Sequence, residues 1–131
     1  MIVREALVAD PRVVQAGAPA RDVAAVLAKP QVVHVLVTDG ERLVGAVSPE
    51  EIVAAVAEGR DLRGLTAGDL ADRDLATVGP ETPLEEALIL MAQHGLERVA
   101  VVEEGRLLGV LPREPVVRRL AEDEPPPLVE G

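Results

Sequence analysis

Residues 33–47 read VHVLVTDGERLVGAV, two apolar runs that meet at the dipeptide Asp39-Gly40. An Asp-Gly pair between runs rich in β-branched residues is a strong short-range signal for a β-hairpin. The runs are almost continuously apolar, and such strands are usually covered on both faces of their sheet. This stretch therefore predicts a buried hairpin that helices must cover.

The same pattern returns 64 positions later, at residues 97–111. The shift needs no gap, and it places Arg42 and Gly45 on identical residues. Thirteen positions are identical between residues 1–58 and 65–122. They fall in predicted strands, at helix starts and at a glycine, where backbone geometry restricts the choice of residue. We interpret the chain as two copies of one unit.

Each copy is predicted to have the order β-α-β-β-α. A short apolar pair, Val13-Val14 or Thr77-Val78, forms the first strand, and apolar residues at helical spacing follow it. Residues 82–85 read Thr-Pro-Leu-Glu, a capping-box pattern that predicts Thr82 as the N-cap of a helix. The second helices are predicted at residues 50–58 and 114–122. The predicted fold class is α/β, with two repeats related by a pseudo-twofold axis.

The predicted boundaries follow from this repeat. Residues 1–64 form the first repeat with its lead-in and linker, and residues 65–122 form the second. Three glycines within residues 59–68 predict a connector between the copies. Residues 123–131 form an acidic, proline-rich tail that we expect to be disordered.

Composition excludes several classes of protein. The chain has 131 residues, no aromatic residue and no cysteine, so base stacking, disulfides and thiolate chemistry are excluded. The formal charge of −10 disfavours a nucleic-acid partner. No apolar run approaches the roughly 20 residues of a membrane span, and no basic leader opens the chain. We expect a cytoplasmic protein without a membrane partner.

Catalytic and metal-binding patterns are missing from the sequence. Ser48 is the only serine, and it lies in no recognisable nucleophile motif. No glycine-rich phosphate loop occurs. The only histidines, His34 and His94, have no clustered carboxylates, which makes a metal site improbable. We expect neither an enzyme nor a metal protein.

The ordered motifs resemble a known family, the tandem cystathionine-β-synthase (CBS) domain pair, or Bateman module. The resemblance covers residues 1–122, and in the second copy it rests on residues 65–70, 74–78, 82–87, 98–102 and 105–110. It implies a free-standing, non-catalytic regulatory module that signals by conformational change. The family implies an adenosine-containing ligand, such as AMP, ADP, ATP or S-adenosylmethionine, in a cleft between the repeats. No cofactor is required in this interpretation.

The family also implies which residues hold the ribose. An Asp after the second hairpin strand commonly does so, in the pattern Gly-apolar-apolar-Ser/Thr-x-x-Asp. The first copy keeps Ser48 and has Glu51 at the Asp position, where a carboxylate can accept bonds from two hydroxyls. The second copy has Pro112 and Pro115 at these positions. A proline side chain cannot hydrogen-bond, so we expect this ribose site to be lost.

Basic residues at the start of the first hairpin strand often face ligand phosphates in the family, and here these positions are His34 and Arg98. An arginine stays charged, whereas a histidine titrates near about pH 6.5 and would make the contact pH-dependent. Arg98 could instead pair with Glu97 or Glu103. The candidate ligand-binding residues are His34, Ser48, Glu51, Thr77 and Arg98.

Alternatives remain open at this point. His34 can be a structural residue of its strand, Ser48 an N-cap, and Glu51 a first-turn acid favoured by the helix dipole. Because Pro112 and Pro115 replace polar groups, the chain can also be a ligand-free dimerisation or protein-interaction module. A third interpretation is a different two-repeat α/β regulatory fold that binds amino acids.

The predicted helices suggest a macromolecular partner. The family often forms disc-like dimers, and it implies an enzyme or transporter as the regulated protein. Small side chains would let helices approach closely, so we expect a homodimer. The alanines concerned are Ala24, Ala25, Ala54, Ala55 and Ala57.

Overall fold

A computed structural model of the chain describes residues 1–10 and 12–123. The tail predicted to be disordered lies outside this range, except for Asp123, which ends the last helix. Within the described ranges, no helix combines the length and apolar character needed to cross a membrane.

Each repeat contains three strands and two helices in the predicted order. The first repeat has β1 (Val13–Gln15), α1 (Ala20–Leu27), β2 (Val35–Asp39), β3 (Arg42–Val47) and α2 (Pro49–Ala57). A short helix, α3 (Ala67–Leu70), precedes the second repeat. The second repeat has β4 (Thr77–Val78), α4 (Leu84–His94), β5 (Arg98–Glu103), β6 (Arg106–Pro112) and α5 (Arg113–Asp123). The predicted α/β class and element order are confirmed.

Strand pairing follows the same scheme in both repeats. The short first strand runs parallel to the next one, with Val13 opposite Leu36 and Thr77 opposite Ala100. β2 and β3 form an antiparallel hairpin in which Val35 lies opposite Val47. β5 and β6 are neighbours in the same way.

The chain divides into two compact units that do not coincide with the sequence repeats. Unit A comprises residues 10–76 and 104–107, and unit B comprises residues 1–9, 77–103 and those from 108 onward. The lead-in to the first repeat (residues 1–9) therefore packs in unit B, and the lead-in to the second repeat (residues 65–76) packs in unit A. The predicted boundary between residues 64 and 65 concerns the sequence repeats and not the compact units, and it stays a prediction.

Matching backbone hydrogen bonds fasten the two lead-ins. In unit A the amides of Ala67, Gly68 and Asp72 donate to the carbonyls of Ala18, Ala16 and Ala46, at 2.8, 2.9 and 2.8 Å. In unit B the amides of Val3, Arg4 and Val8 donate to the carbonyls of Thr82, Pro80 and Val110, at 2.8, 2.8 and 2.9 Å. Every donor and acceptor in one set lies 64 positions from its counterpart in the other. The sequence repeat is thus matched bond by bond.

The aliphatic core of each unit includes residues from its lead-in. In unit A, Ala67 and Leu70 are buried with β2 and α1 side chains such as Val35 and Val23. In unit B, the cluster of fully buried side chains includes Val3, Leu84, Met91, Val101 and Leu111. The predicted connector at residues 59–68 therefore does more than join the copies, because it contains the start of α3.

The predicted N-cap at Thr82 is wrong. α4 begins at Leu84, and its N-cap is Pro83, whose ring nitrogen and side chain provide no cap hydrogen bond. The Thr82 backbone is used elsewhere, because its amide donates to Gly79 at 3.3 Å and its carbonyl accepts from Val3. A capping box does occur at α3, where Thr66 donates its amide to the Asp69 carboxylate at 2.9 Å.

Candidate functional site

Three predicted ligand residues, His34, Ser48 and Glu51, belong to unit A. His34 was predicted inside a strand, but it lies directly before β2, and Ser48 directly follows β3. Because Val35 pairs with Val47 at the end of the antiparallel ladder, His34 and Ser48 each lie one residue beyond that last pair. The fold therefore places these two residues at one end of the first hairpin. His34 is half-buried there.

Ser48 and Glu51 are bonded to each other. Ser48 is the N-cap of α2, and its amide donates to Glu51 Oε2 at 2.9 Å. The Ser48 hydroxyl donates to the same oxygen. The predicted structural roles of Ser48 as N-cap and Glu51 as first-turn acid are confirmed. A carboxylate oxygen carries two lone-pair sites and the group has two oxygens, so the cap leaves acceptor capacity on Glu51.

Unit B contains a cavity of about 500 Å³ at the corresponding end of the second hairpin. It brings together Arg98, Pro112 and Pro115, which the sequence had singled out. Its lining consists of Val8, Glu97, Arg98, Pro112, Arg113, Glu114 and Pro115. We call it the second-repeat cavity.

Sequence reasoning missed Arg113 and Val8 as residues of this cavity. Arg113 lies between the two prolines that replace the polar motif, and the repeat aligns it with Pro49, which has no charge. The position of Arg113 next to Pro112 was the one sequence feature that could have indicated its place in the cavity. No sequence feature indicated Val8, because only the crossing of the lead-in brings it to β6, where it pairs with Val110.

The surroundings of Arg98 differ from the predicted alternative. Glu103 does not pair with Arg98, because its carboxylate accepts a hydrogen bond from Arg4 at 3.1 Å. Arg4 also bonds Glu81 at 3.0 Å, and these contacts, chiefly the bond to Glu81, raise the pKa of the Arg4 guanidinium. Arg98 itself is half-buried at the start of β5.

The two arginines of the second-repeat cavity have no anionic partner in residues 1–10 and 12–123. Arg98 and Arg113 form neither an ion pair nor a side-chain hydrogen bond within those ranges. The Arg113 amide donates to the Glu97 carbonyl at 2.8 Å, which ties the start of α5 to the start of β5. The site can therefore present two guanidinium groups to a bound anion.

Thr77, the fifth candidate, lies at the exposed start of β4, opposite Ala100. It is not part of the lining of the second-repeat cavity. Its role in ligand binding remains a prediction.

A second cavity, of about 430 Å³, lies in unit A beside α1 and α2. It contains none of the five predicted ligand residues, and its lining consists of Pro19, Ala20, Arg21, Ala24, Ile52, Leu62 and Arg63. Arg63 bonds Asp61 at 3.2 Å, and this contact lowers the pKa of the Asp61 carboxyl.

The described part of the chain holds no group of three or more histidine, cysteine, aspartate or glutamate side chains that could bind a metal ion.

Hypoxic response protein 1 of Mycobacterium tuberculosis is 34% identical over 85 residues, 64% of this chain and 59% of that protein. The chain thus spans about three fifths of the length of the curated relatives that it matches.

Two solved structures with bound AMP are similar over almost their full length. CBSX2 in complex with AMP is 26% identical with a TM-score of 0.74, covering 94% of this chain and 98% of that one. A CBS domain protein from Pyrobaculum aerophilum complexed with AMP is 30% identical with a TM-score of 0.67, covering 93% and 99%. The family model of the CBS domain matches residues 3–58 and 67–122. These two matches span most of the sequence, and the protein belongs to the CBS domain family as a pair of CBS domains.

Proposed function

We propose that this chain is a regulatory CBS-pair module that binds an adenosine-containing ligand and signals by changing conformation. The ligand class comprises AMP, ADP, ATP and S-adenosylmethionine. The observation that carries the proposal is family membership together with AMP in two relatives that are 26% and 30% identical to this chain. In this role the protein is not an enzyme and requires no cofactor.

The end of the first hairpin supplies the polar groups for this ligand. Glu51 accepts hydrogen bonds from ribose hydroxyls through the acceptor positions that the Ser48 cap does not use. His34 lies one ladder step from the same point and contacts the polar part of the ligand. The Ser48 hydroxyl supports the Glu51 carboxylate.

Calorimetric titration with the four ligands tests this proposal. At least one should bind the wild-type protein, and Glu51→Gln should weaken binding about tenfold or more, because a charge-assisted acceptor is lost. Glu50→Gln is the matched control: Glu50 is an exposed neighbour in the same helix, and binding should change less than about twofold. If none of the four ligands binds the protein at millimolar concentration, the proposed function is wrong, because mass action reveals even weak binding.

A second candidate function is dimerisation or protein interaction without a ligand. The observation that favours it is the exposed apolar surface of α2, where Val53 and Val56 are 66% and 57% exposed. We infer that a homodimer forms through this face. Ala55 does not belong to it, because it is buried in unit A. A partner retained in pull-downs regardless of added nucleotide would favour this second function.

Apart from Ala55, the alanines proposed for helix contacts lie at exposed positions. Ala24 and Ala25 on α1 and Ala54 and Ala57 on α2 are exposed. Their small side chains permit a close approach of another helix, which supports the homodimer.

A further inference from the structure

The cavity beside α1 and α2, which we call the unit A cavity, lies where the two repeats differ in side-chain size. A shift of 64 positions relates Ala20 and Ala24, which line it, to Leu84 and Leu88. Leu84 is fully buried, and Leu88 packs against the core of unit B. Each alanine lacks the isopropyl group of its leucine counterpart. The alanines therefore leave apolar space beside α1 that the matched positions of unit B fill with leucine.

The walls of the unit A cavity are mainly apolar. Besides the two alanines, Pro19 lines it at the start of α1, Ile52 from α2 and Leu62 from the connector. Ile52 and Leu62 are half-buried and pack against the core of unit A. The volume of about 430 Å³ is in the range of small-molecule sites. A ligand with several hydroxyl or phosphate groups would lose hydration without gaining partners, so these walls disfavour a nucleotide.

One cation at the edge of this cavity has no partner. Arg21 and Arg63 both belong to the lining, but Arg63 donates from Nε and Nη2 to the two carboxylate oxygens of Asp61, each at 3.2 Å. Arg21 is exposed, and within the described part of the chain its guanidinium forms neither an ion pair nor a side-chain hydrogen bond. The matched residue of unit B is Glu85, so the charge is reversed as well as the size. Apolar space beside an uncompensated guanidinium is complementary to a molecule with an apolar body and one anionic end.

We propose that the unit A cavity binds an aliphatic carboxylic acid of medium chain length, with its chain against α1, α2 and the connector and its carboxylate on Arg21. Apolar burial supplies most of the affinity, about fourfold for each methylene group. Arg21 is exposed to solvent, so its ion pair orients the acid and adds a smaller part. The proposal goes beyond the adenosine ligand and does not rest on it, because none of the residues proposed for that ligand lines this cavity.

The chain-length dependence of binding is the first test. The full chain is titrated by calorimetry with octanoate and with hexanoate at equal ionic strength. Octanoate should bind the wild-type protein, and hexanoate should bind about 15-fold more weakly, because it buries two methylene groups fewer. Equal affinity for the two acids would overturn the proposal, because a purely electrostatic contact does not depend on the length of the chain.

Substitutions in the lining locate the binding. Ala24→Leu introduces the residue of the second repeat and should weaken octanoate binding about tenfold or more, because the added side chain fills the cavity. Ala25→Leu is the matched control: it adds the same side chain at an exposed position of α1 outside the lining, and binding should change less than about twofold. Arg21→Gln should weaken binding about three- to fivefold, as expected for an exposed ion pair. Arg60→Gln removes the same charge from an exposed position outside the lining and should have a smaller effect.

The outcomes separate this site from the other proposals. Absence of octanoate binding at about 10 mM, or an equal loss in Ala24→Leu and Ala25→Leu, overturns the site. Octanoate binding that is lost in Glu51→Gln also overturns it, because the acid would then occupy the adenosine site. A second copy of the chain is the competing occupant, and octanoate binding to Val53→Asp but not to the wild-type protein would show that the second copy fills the cavity. Octanoate binding that is lost in Ala24→Leu and survives Glu51→Gln supports the site, whether or not AMP binds.

Discussion

Asp72 and Ala46 exchange two backbone hydrogen bonds, with N–O distances of 2.8 and 3.0 Å. Through this pair the lead-in of the second repeat crosses β3 in unit A. The crossing passes over Gly45, where a Cβ atom would collide with the Asp72 carbonyl. The glycine that helped to reveal the repeat is therefore required by a close backbone approach.

Gly45→Ala and Gly109→Ala should each destabilise the protein by about 1–3 kcal/mol, because the added Cβ overpacks the crossing. At Gly109 that atom would lie 2.5 Å from the Val8 carbonyl oxygen. Urea unfolding measures the change. Gly64→Ala is the control, because no described atom lies within 4 Å of its Cβ position, and it should stay within about 0.5 kcal/mol. Equal stability of the Gly45 and Gly64 variants would contradict the crossing.

Gln31 and Gly95, 64 positions apart, both have a left-handed backbone, with φ of 67° and 62°. A side chain is strained in this region, so Gln31→Gly should stabilise the protein by roughly 0.5–1 kcal/mol. Gly95→Gln should destabilise it by a similar amount. Thermal unfolding measures both. Gln93→Gly, in α4, is the control with the opposite sign, because glycine costs about 1 kcal/mol within a helix.

Met91 is fully buried in the core of unit B. Met91→Ala should cost about 2–5 kcal/mol, because it removes apolar contacts and leaves a cavity. Ile89 lies on the same helix but is 57% exposed, so Ile89→Ala should cost less than about 1 kcal/mol. Chemical denaturation of the two variants provides the comparison. A similar loss in both would show that the helix face is assigned wrongly.

The Asp69 carboxylate accepts the Thr66 amide, and this bond lowers the pKa of Asp69 in the folded protein. Its contribution to stability is thus fully present above the unfolded pKa of about 3.9 and is lost as pH falls through the lower folded pKa. Asp69→Asn should therefore be less stable than wild type at pH 7, and the difference should shrink below about pH 4.

Unfolding curves measured between about pH 2 and 7 test this prediction. Asp74→Asn is the control, because the Asp74 carboxylate accepts no hydrogen bond in the described part of the chain and its substitution should have a smaller effect. A stability difference for Asp69→Asn that stays constant over the whole range would contradict the bond to Thr66.

Val53→Asp and Val56→Asp should convert the proposed homodimer to a monomer, because each places a charge in an apolar contact. Light scattering at micromolar concentration measures the mass. Val33→Asp is the control, since Val33 is similarly exposed but lies outside α2, and it should leave the dimer intact. A wild-type protein that is only monomeric under these conditions would refute the homodimer.

The strands and helices were predictable because their signals are local. Apolar runs, helical spacing and the Asp39-Gly40 pair are each visible within a few residues, and the 64-residue shift is visible by comparing two stretches of the sequence. The Thr82 cap failed because the amide of Val3, from a distant segment, donates a hydrogen bond to the Thr82 carbonyl. A capping box is a local pattern, and it cannot register a competing partner that is far away in the sequence.

The candidate site was predictable only in part, for the same reason. The ladder that ends at Val35 and Val47 follows from the hairpin, so the proximity of His34 and Ser48 was accessible. The second-repeat cavity needs Val8, which arrives from the lead-in through a nonlocal crossing. No periodicity or turn signal marks such a crossing.

Each half of the polypeptide is incomplete by itself, because the lead-in of each repeat packs in the compact unit formed mostly by the other repeat. A fragment ending at residue 64 would lack residues 65–76, which belong to the same compact unit as most of its length. Only a second fragment could supply that lead-in. A single copy of the repeat could therefore complete its compact unit only with the lead-in of a second molecule, whereas the tandem chain carries both lead-ins itself.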